Sequence, residues 1–192
     1  SKDEIHIIEP SVGAGSFLPF LFKKYENVPH VILDVVDIDE DSMASLALIL
    51  EKIQIPKNFE IHYHCHDFLT LDFPYRFDLA VGNPPFSKLK TGDKNASMIL
   101  SRNANKHTNN LSELFLEKCI RCSDCVALVL NKTILCTDEF KETRDLLSQI
   151  QIDSIIDFGR YGFTGVSIET MCMVLYPGQK PKKTMVLNMK YN

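Results

Sequence analysis

Gly82-Asn83-Pro84-Pro85-Phe86 is the run of this chain whose residue types are most committed to chemistry. Two successive prolines fix φ and remove two backbone donors. What remains around the turn is acceptors, namely the Asn83 side-chain oxygen and the Pro84 carbonyl. Such a pair suits an amino group conjugated to a ring, because each of its two hydrogens can donate to one acceptor. That arrangement draws the nitrogen from planar toward tetrahedral and frees its lone pair for attack. Phe86 can stack on the ring and hold it. Asparagine is a poor general base, so the turn would position and polarise rather than abstract a proton. A plain rigid loop after a strand needs none of these residues in this order.

A second cluster opens the chain. Ile7-Ile8-Glu9 runs into Pro10-Ser11-Val12-Gly13-Ala14-Gly15-Ser16-Phe17. Glycine permits close backbone approach, and a following helix N-terminus favours a negative group. The dinucleotide fingerprint wants a third glycine where this chain has Leu18, so a pyrophosphate cofactor is disfavoured. Glu9 would repel a phosphate and attract a cationic or amino-bearing ligand. Asp37 lies 24 positions after Gly13, at the end of another apolar run. A carboxylate there can accept hydrogen bonds from ribose hydroxyls. His66-Asp67-Phe68 ends a third run, where an acid can take the amino edge of a purine and the aromatic can pack on its face. Taken singly, each has a plainer account: a strand-to-helix turn, an exposed acid near a helix start, a solvated turn Asp beside a core Phe.

These residues need strands to hold them. Short apolar runs at 5–9, 31–37, 61–65, 77–81, 126–130, 152–158 and 170–176 read as seven strands, and 184–189 as one more. Amphipathic stretches at 17–25, to about 53, at 111–120 and at 138–149 read as helices, the second capped by Asp41 or Ser42. Alternating strands and helices imply a parallel sheet covered on both faces, with ligands at the carboxyl ends of the strands. The residues singled out above all fall at such ends. The stretch 88–110 is polar and aperiodic. A loop this long inside a compact domain is functional or disordered.

Composition bounds the class. With 192 residues, 45% hydrophobic and 24% charged, the chain can bury a core and is not disordered. The net charge of −4 excludes a wholly basic nucleic-acid clamp. A local stripe remains open: Lys88, Lys90, Lys94, Arg102 and Lys106 follow the Asn-Pro-Pro turn, as DNA contacts or as a solvated loop. No apolar run reaches the roughly 20 residues of a membrane span. Six cysteines without secretory features point to reduced thiols in a cytoplasm.

Two groups imitate metal sites. Cys119, Cys122 and Cys125 lack the fourth Cys of a cluster motif, and buried free thiols explain them better. His62, His64 and His66 share one face of the third strand, where a polar face at a sheet edge is expected.

Taken together, the residues resemble the S-adenosylmethionine-dependent amino-methyltransferases, most closely the N6-adenine DNA methyltransferases of restriction–modification systems. The resemblance implies a Rossmann-like class I methyltransferase sheet, mostly parallel with an antiparallel strand near the C-terminal edge. It implies that Glu9, Pro10, Ser11, Gly13 and Gly15 hold S-adenosyl-L-methionine, with Asp37 on its ribose, Ile38 packing on its adenine and Asp67 on its amino group beside Phe68. It assigns catalysis to Asn83, Pro84, Pro85 and Phe86, and grip on a flipped base to Phe86 and, by order, Phe163. The cofactor motif precedes the catalytic one, the order of the class whose target recognition domain comes last. On that pattern residues 1–192 are a catalytic domain without the family's N-terminal motif. The expected partners are double-stranded DNA and a target recognition domain or subunit outside the chain, in a prokaryotic cytoplasm with no membrane role. Enzymes acting on a protein glutamine amide or on RNA share the catalytic turn, although Glu9 and Phe86 look more like the DNA enzymes. A non-autonomous subunit of a restriction–modification complex is the third reading.

Overall fold

The computed structural model describes residues 2–159 and 168–189. Val, Ile and Leu crowd the strands, and the breaks fall at Pro, Gly, Asn and Asp. Three strands and their helices come first: β1 (Glu4–Glu9), α1 (Leu18–Lys24), β2 (His30–Asp37), α2 (Glu40–Lys52) and β3 (Phe59–Cys65). Then follow β4 (Phe77–Gly82), α3 (Ala96–Ser101), α4 (Leu111–Cys122) and β5 (Ser123–Asn131). The last elements are α5 (Lys141–Leu147), β6 (Gln151–Gly159), β7 (Thr170–Tyr176) and β8 (Met185–Asn188).

Among the described residues the strands form one sheet in the order β3-β2-β1-β4-β5-β7-β6-β8. All neighbours are parallel except β7, which runs antiparallel to both β5 and β6. The chain winds outward one way through β2 and β3 and the other way through β4 and β5. The reversal lies between β1 and β4, the topological switch point where α/β sheets bind ligands.

Both faces of the sheet are covered. Ile7 packs with Leu33, Val35 and the α1–α2 residues Leu18, Leu21, Met43 and Leu46. Its neighbour Ile8 points the other way, into a core with Phe77, Leu128 and the α4 residues Leu114 and Leu116. This two-sided burial is why the central strands read as continuous apolar runs.

Two local expectations change. The cap of α2 is Asp39, not Asp41 or Ser42: its backbone is extended and its Oδ2 accepts the Ser42 amide at 3.0 Å. The acid three residues before a free amide wins because a cap must itself lie outside the helix. The stretch 88–110 is also not all loop, since it contains α3 and is closed at its base by a bridge between Lys88 and Asn110.

The metal look-alikes dissolve into packing. All six cysteines are free thiols, Cys119 buried, and the Cys-x2-Cys-x2-Cys run is split between α4 and β5. β3 is the sheet edge, and His64 binds the buried Asp34 carboxylate at 2.6 Å. The Tyr75 hydroxyl donates to the other Asp34 oxygen at 2.8 Å. Among the described residues no group of three or more His, Cys, Asp and Glu is placed to hold a metal ion. None of their helices is long and apolar enough to cross a membrane.

Candidate active site

The carboxyl ends of β1, β2 and β4 stand side by side, and the turn beyond β1 is where the sheet is gripped most tightly. Gly13 and Gly15 take left-handed φ values of 50° and 74°. At Gly15 a Cβ would meet Leu46 Cδ1 at 2.7 Å, so the turn lies directly against α2. The Gly13 amide donates to Asp37 Oδ2 at 2.8 Å, and the Asp39 amide to Asp37 Oδ1 at 3.1 Å. Each Asp37 oxygen keeps a further lone pair for a ligand hydroxyl.

Asp67 caps a short 3-10 turn, Phe68–Thr70, accepting the Leu69 amide at 2.9 Å. On the other side, Gly82 brings β4 close under Pro10, where a Cβ would lie 3.3 Å from Pro10 Cδ. The Ser11 hydroxyl then donates to the Asn83 carbonyl at 3.1 Å. The first turn and the Asn-Pro-Pro turn are thus one bonded unit.

A cavity of about 450 Å³ opens between these ends. Pro10 and Ser11 line it from β1, Asp37 and Ile38 from β2, Asp67 and Phe68 from the 3-10 turn, and Asn83 and Pro85 from β4. Ile38 is 72% exposed. Glu9, Gly13, Gly15, Pro84 and Phe86 do not line it; Glu9 and Pro84 are buried and Phe86 is half-buried beside it. Phe163 lies outside the described residues.

Residues 22–163 match the family model described as Eco57I restriction-modification methylase. The chain belongs to that family. The matched span takes in Asp37, Asp67 and the Asn83–Phe86 turn and begins after the glycine turn. The type II methyltransferase M.CvrRI of Paramecium bursaria Chlorella virus XZ-6E is 29% identical over 175 residues, 88% of this chain. The chain spans 42% of that relative's length. Among solved structures, a Listeria monocytogenes protein assigned to the class I S-adenosylmethionine-dependent methyltransferases superposes with a TM-score of 0.78, covering 100% of this chain and 60% of that one, at 19% identity. A type I restriction-modification system methyltransferase subunit from Streptococcus thermophilus gives 0.73, covering 100% and 45%, also at 19% identity. At such identities the likeness speaks for the fold, which is the class I methyltransferase sheet.

In this member of the Eco57I family the site carries two buried oxygens without partners, Asn83 Oδ1 and Glu9 Oε2. Unpaired buried acceptors cost free energy and are a place for a ligand donor to land. Burial pushes the Glu9 carboxyl up to about 8, so it is largely protonated at neutral pH. A cationic partner would ionise it.

Leu89, Leu111 and Phe115 also line the cavity, and nothing in the sequence singled them out. They arrive because the base of the 88–110 segment is pinned: Leu89 donates its amide to Asn109 and Leu111 to Ser87. Asn110 then caps α4 by accepting the Ser112 amide at 3.1 Å. Lys88 and Lys90 stand exposed at the cavity edge, and Lys94 and Lys106 are exposed farther along. Arg102 pairs with the exposed Asp72 at 2.9 Å.

Proposed function

We propose that residues 1–192 are the catalytic domain of a DNA methyltransferase that moves a methyl group from S-adenosylmethionine to the N6 amino group of an adenine. The observation that carries the reading is the Asn83 side-chain oxygen. It is buried, has no partner, and belongs to a residue that lines the same cavity as Asp37 and Asp67.

The cavity residues fit the cofactor part by part. Asp37 can take the ribose hydroxyls, Ile38 the adenine face and Asp67 the adenine amino group. Glu9, outside the lining but next to Pro10, would supply a buried acid for an ammonium group. Held by these residues, S-adenosylmethionine would supply an electrophilic methyl on a sulfonium, and transfer would leave a neutral thioether and one proton to be lost from the amino nitrogen. Asn83 Oδ1 and the Pro84 carbonyl each accept one amino hydrogen, which turns the nitrogen lone pair toward the donor. Neither is basic enough to keep the proton, so it leaves to water. A base inside a duplex must first be extruded, at a cost of a few kcal/mol. Stacking on Phe86, about 1–3 kcal/mol by analogy with other base–aromatic pairs, offsets part of it.

We assign target-sequence reading to protein outside these residues. Against a net charge of −4, the exposed Lys88, Lys90, Lys94 and Lys106 that follow the Asn-Pro-Pro turn are the local phosphate grip.

The test is calorimetric titration of the chain and of Asp37→Ala with S-adenosylmethionine, followed by labelled methyl transfer to duplex DNA, RNA and a glutamine peptide. Saturable binding lost in the variant, with label recovered as N6-methyladenine, is the expected result. A folded wild-type chain that binds no cofactor, or label recovered in RNA or peptide, would overturn it.

A further inference from the structure

We infer that Lys118 is a positioning residue: from α4 it fixes the turn that carries Asp67 and Phe68 and thereby sets affinity for the nucleoside end of the cofactor. The inference rests on the cofactor reading above.

Phe115 and Lys118 are three residues apart and share one face of α4. Both close on Phe68. The Phe115 ring stands 5.1 Å from the Phe68 ring, tilted by 42°. Lys118 Nζ lies 4.6 Å from the Phe68 ring centroid and 5.9 Å from that of Phe73. The same ammonium donates to the carbonyls of Phe68, the first residue of the 3-10 turn, and of Leu71, the residue that closes it. Asp67 caps that turn through the Leu69 amide, and Lys118 ties its first residue to the residue that closes it.

The choice of lysine there is costly. Lys118 is 6% exposed, and among the described residues no carboxylate comes within ion-pair distance of it. The charged and titratable groups around it are Asp72 on the segment after the turn and Cys119, Arg121 and Cys122 on α4. Asp72 is engaged by Arg102, burial keeps the Cys119 and Cys122 thiols neutral, and Arg121 is a second cation that adds to the cost of the lysine. Burial likewise pulls the lysine down to about 8. A leucine or methionine would fill an aromatic niche at no desolvation cost. What only the ammonium supplies is the grip on two carbonyls, and those carbonyls belong to a turn in the cavity wall.

The test uses the full chain with Lys118→Met and Lys118→Arg. Each is titrated with S-adenosylmethionine and with adenosine, and assayed for KM and kcat on duplex DNA. For Lys118→Met we expect at least a tenfold loss of affinity for both ligands and a matching rise in cofactor KM, with kcat at saturating cofactor within twofold. Lys118→Arg should recover affinity to within about threefold of wild type. A merely structural lysine would lower thermal stability and leave affinity per folded molecule unchanged, and that result would overturn the inference. Should Lys118→Met not fold, the wild-type and Arg chains decide. Adenosine affinity should fall between pH 7 and pH 9.5 in wild type and stay level in Lys118→Arg, while equal profiles would overturn the inference. Wild type that binds neither ligand would overturn the cofactor reading itself, and the inference with it.

Discussion

The Ser11 hydroxyl donates to the main-chain carbonyl of Asn83 at 3.1 Å, across the switch point of the sheet. One bond joins the turn that would hold the cofactor to the turn that would hold the acceptor. Its net worth to folding is about 1 kcal/mol. Its worth to alignment is greater, because small displacements of reacting groups cost large factors in rate. Ser11→Ala should therefore leave the thermal midpoint within a few degrees and slow single-turnover methylation about tenfold. Unchanged turnover would show that the two turns are aligned by other means.

Asn83 Oδ1 is buried and unpaired, so its loss removes a function and not a structural bond. Asn83→Ala should lower the transfer rate about 10²-fold or more, comparable with removing one oxyanion-hole donor. Cofactor affinity measured by titration should stay within about threefold. An equal loss in affinity and rate would instead place Asn83 in cofactor binding.

Gly13 and Gly15 look alike in sequence and differ in the fold. Both have left-handed φ, but only Gly15 faces a wall, with Leu46 Cδ1 2.7 Å from where its Cβ would stand. Gly13→Ala should cost about 1 kcal/mol of backbone strain. Gly15→Ala should cost about 2–3 kcal/mol, because the buried Leu46 side chain must also repack. Chemical denaturation of the two variants gives the comparison, and equal losses would mean that Leu46 yields freely.

The strand-end residues were legible because their chemistry restricts their type. An acid after Val36, an Asn before two prolines and a pair of turn glycines each announce a local backbone and a ligand group at once. Asp39 shows the limit of that signal: four acids stand within the five residues 37–41, and only the backbone conformation tells which one caps α2. Leu89, Leu111 and Phe115 were not legible as cavity walls, since an apolar residue carries no mark of which cavity it will border. Their place depends on the bridge between Lys88 and Asn110, a tertiary contact inside an aperiodic stretch. The Arg102–Asp72 pair was not legible either, because the two residues lie 30 positions apart.

The 103–113 region is held by buried carboxyls, and one of them gives the fold a pH dependence. Glu113 is 0% exposed, and burial beside Glu117 pushes its carboxyl up to about 9. The Thr143 hydroxyl donates to it at 2.6 Å. An acid raised above its ordinary value of 4.5 contributes stability that is complete below pH 4.5 and lost as pH rises through about 9. Glu113→Gln keeps the shape without the titration. At pH 8.5 it should raise stability by on the order of 1–2 kcal/mol, and at pH 5 it should not. Thermal midpoints of both chains from pH 5 to 9 check this, and parallel curves would count against a protonated Glu113.

Glu9 should tie cofactor binding to pH in the opposite direction. Its carboxyl is 1% exposed, lacks a partner on Oε2, and is raised to about 8 by burial. In the free chain it is therefore protonated at pH 6.5, and the stability this provides is lost as pH rises through about 8. A bound ammonium group reverses the preference by stabilising the carboxylate. Binding then releases a proton wherever the free chain holds one. Affinity for S-adenosylmethionine should rise by up to tenfold per pH unit from about pH 6 and level off near pH 8. Calorimetry at pH 6.5 in buffers of different ionisation enthalpy should show release of about one proton. Glu9→Gln should flatten the affinity profile and abolish the proton release, while weakening binding most at pH 8. A wild-type affinity independent of pH, with no proton released, would place the ammonium group away from Glu9.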